Sequence, residues 1–442
     1  MSDVDQRRIN NQRSDSLEFL SARAAARLLD IKLATLYAYV SRGLVRSVPG
    51  PGGRPRRYLR GDVERLKARR DARRGHGAVA AGALRWGEPV LDTSISEITA
   101  SGPRYRGHEA IKLANEYCFE EVAELLWTGA LVGKGEHKAW PDCPEQNVLR
   151  QIREFLPRRT PPIAILAAVV PLMAARDPDR HDHTATAEIT RARRIIVTMA
   201  AALGRPGRKG QVRSSDVDRD GQLTVAEQLL YGLSLRPRVR SPGKRSQSER
   251  RAVHRALILV ADHELNASTF ATRVAASTGS DLYACLSAGL ATLSGPRHGG
   301  LVERVEALMR ECARPGRARQ VIRERARRGD DIPGFGHQLY PGGDPRARTL
   351  LANARSLAGK NREVAILSAL ADEMERLGRQ PPTCDVGLVA LASALRLEPG
   401  AASALFAVGR VAGWIAHSFE QRAAGFLMRP RARYKPVGLR ES

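Results

Sequence analysis

Aromatic residues are scarce in this chain, with Phe, Trp and Tyr together filling only 5% of 442 positions. Strands favour aromatic and β-branched side chains, so this scarcity beside abundant Ala and Leu excludes a sheet-dominated fold and favours helices. Long apolar runs are missing as well. The longest, Ile163 to Ala175, contains Pro171 and falls short of the ~20 residues a bilayer span requires. The opening residues MSDVDQRRINNQRS lack the apolar core of a signal peptide, which predicts a cytoplasmic protein with no membrane partner. Cysteine is sparse and dispersed. Cys118, Cys143, Cys285, Cys312 and Cys384 never form Cys-x-x-Cys, which argues for reduced thiols and against a disulfide frame. Cys384 beside Asp385 reads as a small packing residue rather than a nucleophile.

Acidic charge is also short, 47 Asp+Glu against 72 Lys+Arg, for a net charge of +25. The excess is densest at the start, where residues 1–75 hold 18 basic and 8 acidic side chains. A local basic excess of this kind points to a polyanionic partner. With 43% hydrophobic residues, the chain has core enough for at least two domains, one small and one large.

Residues 1–16 are polar and are expected to be disordered. From 17 to 74 the pattern turns helical. Ser21 offers an N-cap, Ala24, Ala25, Leu28 and Leu29 make an apolar face, and Asp30-Ile31 reads as a turn. Thr35, Leu36, Tyr37 and Val40 then continue on a second helix ended by Gly43. A Pro/Gly loop with Arg54, Arg56 and Arg57 follows, and Asp62 is expected to cap a third, basic helix. Helix, turn, helix, basic loop and helix form a winged helix-turn-helix layout. The segment AAARLLDIKLATLYAYVSRGLVRS…RRYLRGDVERL resembles DNA-binding domains of the MerR and excisionase kind. Asp30 stands where that turn often has glycine, and Asp tolerates the left-handed conformation. The resemblance implies a double-stranded DNA partner, with Lys32, Thr35, Tyr37 and Tyr39 facing the major groove and Arg54, Arg56 and Arg57 on phosphates. Residues 75–83, GHGAVAAGA, read as a linker.

Beyond the linker, Ala/Leu-rich segments recur at helical spacing with almost no strand alternation, so residues 84–442 are expected to be all-α. Within them lie His263 in Ala261-Asp262-His263-Glu264, His298 in Gly295-Pro296-Arg297-His298-Gly299-Gly300, His337 in Pro333-Gly334-Phe335-Gly336-His337, and Asp385 in Pro382-Thr383-Cys384-Asp385. Taken singly, each has a bland reading as a core or surface side chain. Together, in this order and with FGHQLYPGGDPR and VGRVAGWIAH, they resemble citrate synthase over most of residues 84–434. That implies a two-subdomain helical fold with a small cap at about 296–390, closing over a cleft, in a homodimer.

The resemblance implies condensation of acetyl-CoA with oxaloacetate, with acetyl-CoA as a substrate and no separate cofactor. A thioester methyl is a very weak carbon acid, so its base needs a hydrogen-bond donor on the developing enolate oxygen. Asp385 matches the base and His298 the donor. His337 matches the group that polarises the keto carbonyl, and His263 a further oxaloacetate contact. Two carboxylates call for guanidinium forks, and Arg346, Arg410 and Arg429 match the clamps, Arg429 from the neighbouring subunit. Pro333, Gly334, Phe335 and Gly336 match the CoA-binding loop. Around the acyl side the chain departs from the family: Arg297 replaces a leucine, Leu301-Val302 replaces Ala-Asn, Val260 precedes Ala261, and Val386 follows the base where an aromatic is frequent. Two alternatives therefore stay open: a 2-methylcitrate synthase using propionyl-CoA, and a transcription regulator that senses metabolites through this body. Asp216, Asp218, Asp220, Gln222 and Glu227 have the spacing of an EF-hand calcium loop. The preceding GRPGRKGQVRSS does not resemble an entering helix, and Thr224 to Glu227 resembles an ordinary helix start. The expectation is no bound metal.

Overall fold

The computed structural model describes residues 19–42, 44–49, 55–73, 91–131, 140, 144–157, 159–204, 223–235, 247–430, 432 and 434. The chain divides into two compact units, Met1–Asp92 and Thr93–Ser442.

In the first unit, strand β1 (Phe19–Ser21) leads into α1 (Ala22–Leu29) and α2 (Leu33–Ser41). Strands β2 (Ser47–Val48) and β3 (Arg57–Leu59) precede α3 (Arg60–Arg73), and β3 pairs antiparallel with both other strands. Ser21 caps α1 by accepting from the Ala24 amide. Asp30 closes the same helix in the left-handed region at φ 50, the conformation that Asp tolerates better than most side chains. Leu20, Ala25, Leu29, Leu36, Val45, Tyr58 and Val63 form the core. One expectation fails here. Asp62 is not a cap, because β3 runs straight into α3 at Arg60. Its carboxylate instead grips Arg46 through Nε at 2.9 Å, Nη2 at 3.1 Å and the backbone N–H at 2.9 Å.

The second unit opens with a short antiparallel sheet, β4 (Ser96–Thr99), β5 (Gly102–Tyr105) and β6 (His108–Glu109). Strands of two to four residues leave no readable alternation, so the sequence pattern missed them. Helices follow: α4 (Ala110–Glu116), α5 (Phe119–Thr128), α6 (Gln146–Phe155), α7 (Pro162–Ala174), α8 (Ala185–Ala202), α9 (Val225–Gly232), α10 (Gln247–Leu259), α11 (Ala267–Ser277) and α12 (Leu282–Leu293). Then come α13 (Leu301–Cys312), α14 (Ala318–Arg328), α15 (Pro345–Ala358), α16 (Arg362–Arg376), α17 (Cys384–Ala394) and α18 (Ala401–Ala424). No helix among the described residues is long and apolar enough to cross a membrane.

Helix α18 is the axis of this unit, buried without interruption from Ala401 to Ser418. It lies against α10, α11 and α12, while α15 lies on α17. Gly409 lets the backbones meet: a Cβ there would stand 2.7 Å from the Leu257 carbonyl oxygen. That close approach puts Arg410 against the end of α10, where His263 emerges.

Candidate active site

Asp385 sits in the first turn of α17 and is 7% exposed. The chain reaches it through a zip of backbone bonds: Gly336 N–H donates to Pro381 at 2.8 Å, and Thr383 N–H to Gly334 at 2.8 Å. Gly334 stands at φ 85, and a Cβ there would press within 2.5 Å of Val305 and 2.6 Å of Val386, so glycine is required. Thr383 donates its hydroxyl to Asp385 Oδ2 at 2.7 Å. Burial raises the Asp385 pKa above the ordinary carboxylate value, with Thr383 and Arg346 opposing.

Asp344 forks the Arg346 guanidinium, Nε to Oδ1 at 3.0 Å and Nη2 to Oδ2 at 2.9 Å. The same carboxylate caps α15 through Arg346 N–H at 3.0 Å and takes the Cys384 N–H, the first of α17, at 3.0 Å. One buried group therefore ties the arginine to the helix that carries Asp385. Burial alone would raise the Asp344 pKa, but Arg346 outweighs it and the net shift is downward. Arg410 is 1% exposed; its Nε donates to the Val260 carbonyl at 2.7 Å and its head lies over Phe406 at 4.9 Å. No described residue accepts from its terminal nitrogens, which suits them to a carboxylate ligand.

The three histidines are held neutral. His263 and His337 lie with ring centres 5.2 Å apart, and His263 Nε2 meets the Tyr340 hydroxyl at 3.0 Å. Burial, then Arg346 and Arg410, drive the His263 pKa well below its usual value. Burial and Arg346 lower His337, and burial and Arg410 lower His298 to about 4. A hydrogen bond then chooses the His337 tautomer. His337 Nδ1 accepts the Leu339 N–H at 3.2 Å, so Nε2 carries the proton. His298 Nε2 faces the Ser268 hydroxyl at 2.8 Å. The same hydroxyl donates to Asn266 Oδ1 at 2.7 Å and so links His298 to the start of α11.

Beneath these groups Asp262 is fully buried, accepting from Ser96 Oγ, from Glu264 N–H at 3.2 Å and facing His417 Nε2 at 3.3 Å. Burial would raise its pKa, but His417 and Arg410 hold it low. An anchored anion, two buried guanidiniums, three neutral donors and one carboxylate of raised pKa make a site suited to a dianionic keto acid and to proton abstraction beside it.

The chain matches the family described as "Citrate synthase, C-terminal domain" over residues 83–431. The chain belongs to the citrate synthase family. It is an acyltransferase of that family, and residues 19–71 separately match "Helix-turn-helix domain". Citrate synthase 2 of Bacillus subtilis is 30% identical over 360 residues, spanning 79% of this chain and 94% of that one. A 2-methylcitrate synthase of Mycobacterium tuberculosis is 28% identical, spanning 79% and 88%. Citrate synthase from Thermoplasma acidophilum, solved in a ternary complex with carboxymethyl coenzyme A and oxaloacetate, superimposes with a TM-score of 0.64 at 25% identity, covering 82% of this chain and 97% of that one.

The fold thus brings His263, His298, His337, Arg346, Arg410 and Asp385 into one citrate-synthase-type unit. Arg429 stands apart: it is exposed beyond the end of α18 and, among the described residues, makes no hydrogen bond or ion pair with these groups. Sequence reasoning missed Tyr340, Asp344, Thr383, Ser268 and Asp262. The Asp-Pro-Arg signature, a cap followed by a helix-opening proline, was the one local signal for Asp344. Of the calcium candidates, Asp216, Asp218, Asp220 and Gln222 lie outside the described residues. Glu227 is engaged elsewhere, accepting the Thr224 N–H at 2.9 Å and pairing with Arg250 at 3.0 Å. It closes the capping box of α9, as an ordinary helix start does.

In the first unit Lys32 and Tyr37 are exposed and Thr35 is half-buried. Tyr39 is partly buried and packs against the core. Arg56 is exposed and bonds Ser47 Oγ at 3.0 Å, whereas Arg57 lies over the Phe19 ring at 5.3 Å. Arg54, the 1–16 segment and the 75–83 linker lie outside the described residues.

Proposed function

We propose that the protein condenses acetyl-CoA with oxaloacetate and water to give citrate and CoA. Asp385 removes a methyl proton, and His298 donates a hydrogen bond to the thioester oxygen as it becomes an enolate oxygen. His337 Nε2–H draws electron density from the keto oxygen of oxaloacetate, whose carbonyl carbon the enolate carbon attacks. Arg346, Arg410 and His263 hold the keto acid, and Arg429 adds a clamp from the neighbouring subunit of a homodimer. Water then hydrolyses the thioester. Pro333 to Gly336 form the CoA-facing loop, and acetyl-CoA enters as a substrate rather than a resident cofactor. The observation that carries this reading is the meeting of His263, His337 and His298 with the buried Arg346 and Arg410, Arg346 also acting on the buried Asp385 carboxyl. Residues 84–442 form the catalytic domain, with a cap near 296–390. Residues 17–74 bind double-stranded DNA through Lys32, Tyr37 and Arg56, in a cytoplasmic protein.

A second reading, 2-methylcitrate synthesis from propionyl-CoA, draws on Val386, a fully buried residue standing beside the base where an aromatic is frequent. One methylene is worth about 1–3 kcal/mol in such a pocket. The test is CoA release with oxaloacetate and either acyl-CoA, with Asp385→Ala as control. Faster release with acetyl-CoA, lost in the variant, supports citrate synthesis; preference for propionyl-CoA supports the second reading. No release with either, while oxaloacetate still binds, overturns both in favour of a metabolite-sensing regulator.

A further inference from the structure

Thr383 occupies the N-cap position of α17, with extended backbone at φ −91 and ψ 170. A threonine there ordinarily accepts an amide N–H from the first turn. This one makes no such cap bond. The cap role passes to Asp344, which takes the Cys384 N–H at 3.0 Å from outside the helix. Released from capping, the Thr383 hydroxyl donates to Asp385 Oδ2 at 2.7 Å. Both side chains are buried, Thr383 at 3% and Asp385 at 7% exposure. The Cys384 thiol lies 3.9 Å from the same Oδ2, the Asp385 backbone N–H also acts on this carboxylate, and no side chain of a described residue donates to Oδ1.

We propose that Thr383 is a positioning residue for the proton abstraction: its hydroxyl fixes the Asp385 carboxylate and reserves Oδ1 as the basic oxygen. The proposal rests on the reading of Asp385 as the base. In the step it serves, the C–H bond of the acyl methyl breaks and its proton bonds to Oδ1. The electron pair left behind forms the C=C bond of the enolate, and the thioester oxygen takes up the negative charge beside His298. Throughout, Thr383 keeps its own proton and its bond to Oδ2. A carboxylate pinned at one oxygen keeps the syn lone pairs of the other aimed in one direction, and such orientation is worth more than the bond alone.

The hydroxyl has a second effect, because a donor to the ionised form opposes the rise that burial imposes. The charged groups that act on this carboxyl are Arg346 and Asp344 from α15. The Cys384 thiol lies beside it on α17, and Arg410 of α18 acts on that thiol. Removing the hydroxyl leaves all of these in place and takes away one donor, so the base stays protonated to a higher pH.

The experiment compares Thr383→Val, Thr383→Ser and Asp385→Ala in the full chain, measuring kcat and kcat/KM against pH with oxaloacetate and the preferred acyl-CoA. Thr383→Val is expected to lower kcat about tenfold and move the acid limb up by about one pH unit. The KM for oxaloacetate should hold, since Arg346 and Arg410 are untouched. Thr383→Ser, which keeps the hydroxyl, should restore both kcat and the limb. Stabilisation by oxaloacetate reports that each variant is folded; if Thr383→Val does not fold, Thr383→Ala carries the same expectations. A Val or Ala profile that superimposes on the parent, while Asp385→Ala is inactive, overturns the positioning role and leaves the base assigned. A Ser variant as impaired as Val overturns it too. Activity surviving in Asp385→Ala overturns the reading of the base itself.

Discussion

Replacing Asp344 by alanine should be among the most damaging single changes in the catalytic unit, and its size follows from the groups it leaves behind. The side chains of Asp344 and Arg346 are 0% and 3% exposed. Breaking such a pair from one side strands a buried charge and costs about 3–5 kcal/mol. The same carboxylate caps α15 through Arg346 N–H and takes the Cys384 N–H; a lost cap alone costs about 1 kcal/mol. These losses share one side chain and do not simply add, so we expect a total of about 4 kcal/mol. Urea unfolding followed by helix circular dichroism gives the number directly. The stronger assay is a cycle with Arg346→Met. If the pair is a unit, the double variant loses several kcal/mol less than the two single losses combined, because the second removal takes away the stranded charge. A cost for Asp344→Ala below about 1 kcal/mol, or strict additivity in the cycle, would refute the reasoning.

Three further outcomes are expected. Tyr340→Phe removes the bond to His263 Nε2 and should raise the KM for oxaloacetate about two- to tenfold with little change in kcat; an unchanged KM counts against the contact. Because the folded His298 pKa is lowered to about 4 while the unfolded value stays near 6.5, the unfolded state binds more protons between those values. Stability should therefore rise with pH from about 4 to 6.5; NMR titration of His298 near 6.5 in the folded protein would contradict this. Co-expressing Arg429→Ala with Asp385→Ala should recover activity that neither variant has alone, since a mixed dimer would hold one intact site; no recovery removes Arg429 from the neighbouring subunit's site.

What was legible in the sequence was local. His337 could be placed because Pro333-Gly334-Phe335-Gly336-His337 resembles a family motif, and Gly334 and Gly336 do take positive φ, 85 and 88. The long helices could be placed because Ala and Leu recur at their spacing. Partners were not legible, because they meet across large separations: Ser268 with His298, His263 with Tyr340, Asp344 with Cys384, Ser96 with Asp262. No periodicity records such meetings. Asp62 shows the opposite failure, an acid near a helix start that looked like a cap and was instead the anchor of Arg46.

The candidate site's three buried aspartates show why burial alone does not pick out a base. Asp262, Asp344 and Asp385 are each nearly inaccessible to solvent, and burial pushes all three upward. Asp262 is pulled back down by His417 and Arg410, and Asp344 by Arg346. For Asp385 the pull is weaker, because the nearest guanidinium already has its Nε and Nη2 committed to Asp344, and burial wins. Cation placement, more than depth, therefore separates two carboxylates of lowered pKa from the one whose pKa is raised, as the proposed base requires. If Asp385 is the base as proposed, Asp344 matters to chemistry it never touches: by holding Arg346 it leaves Asp385 with the higher proton affinity that abstraction requires.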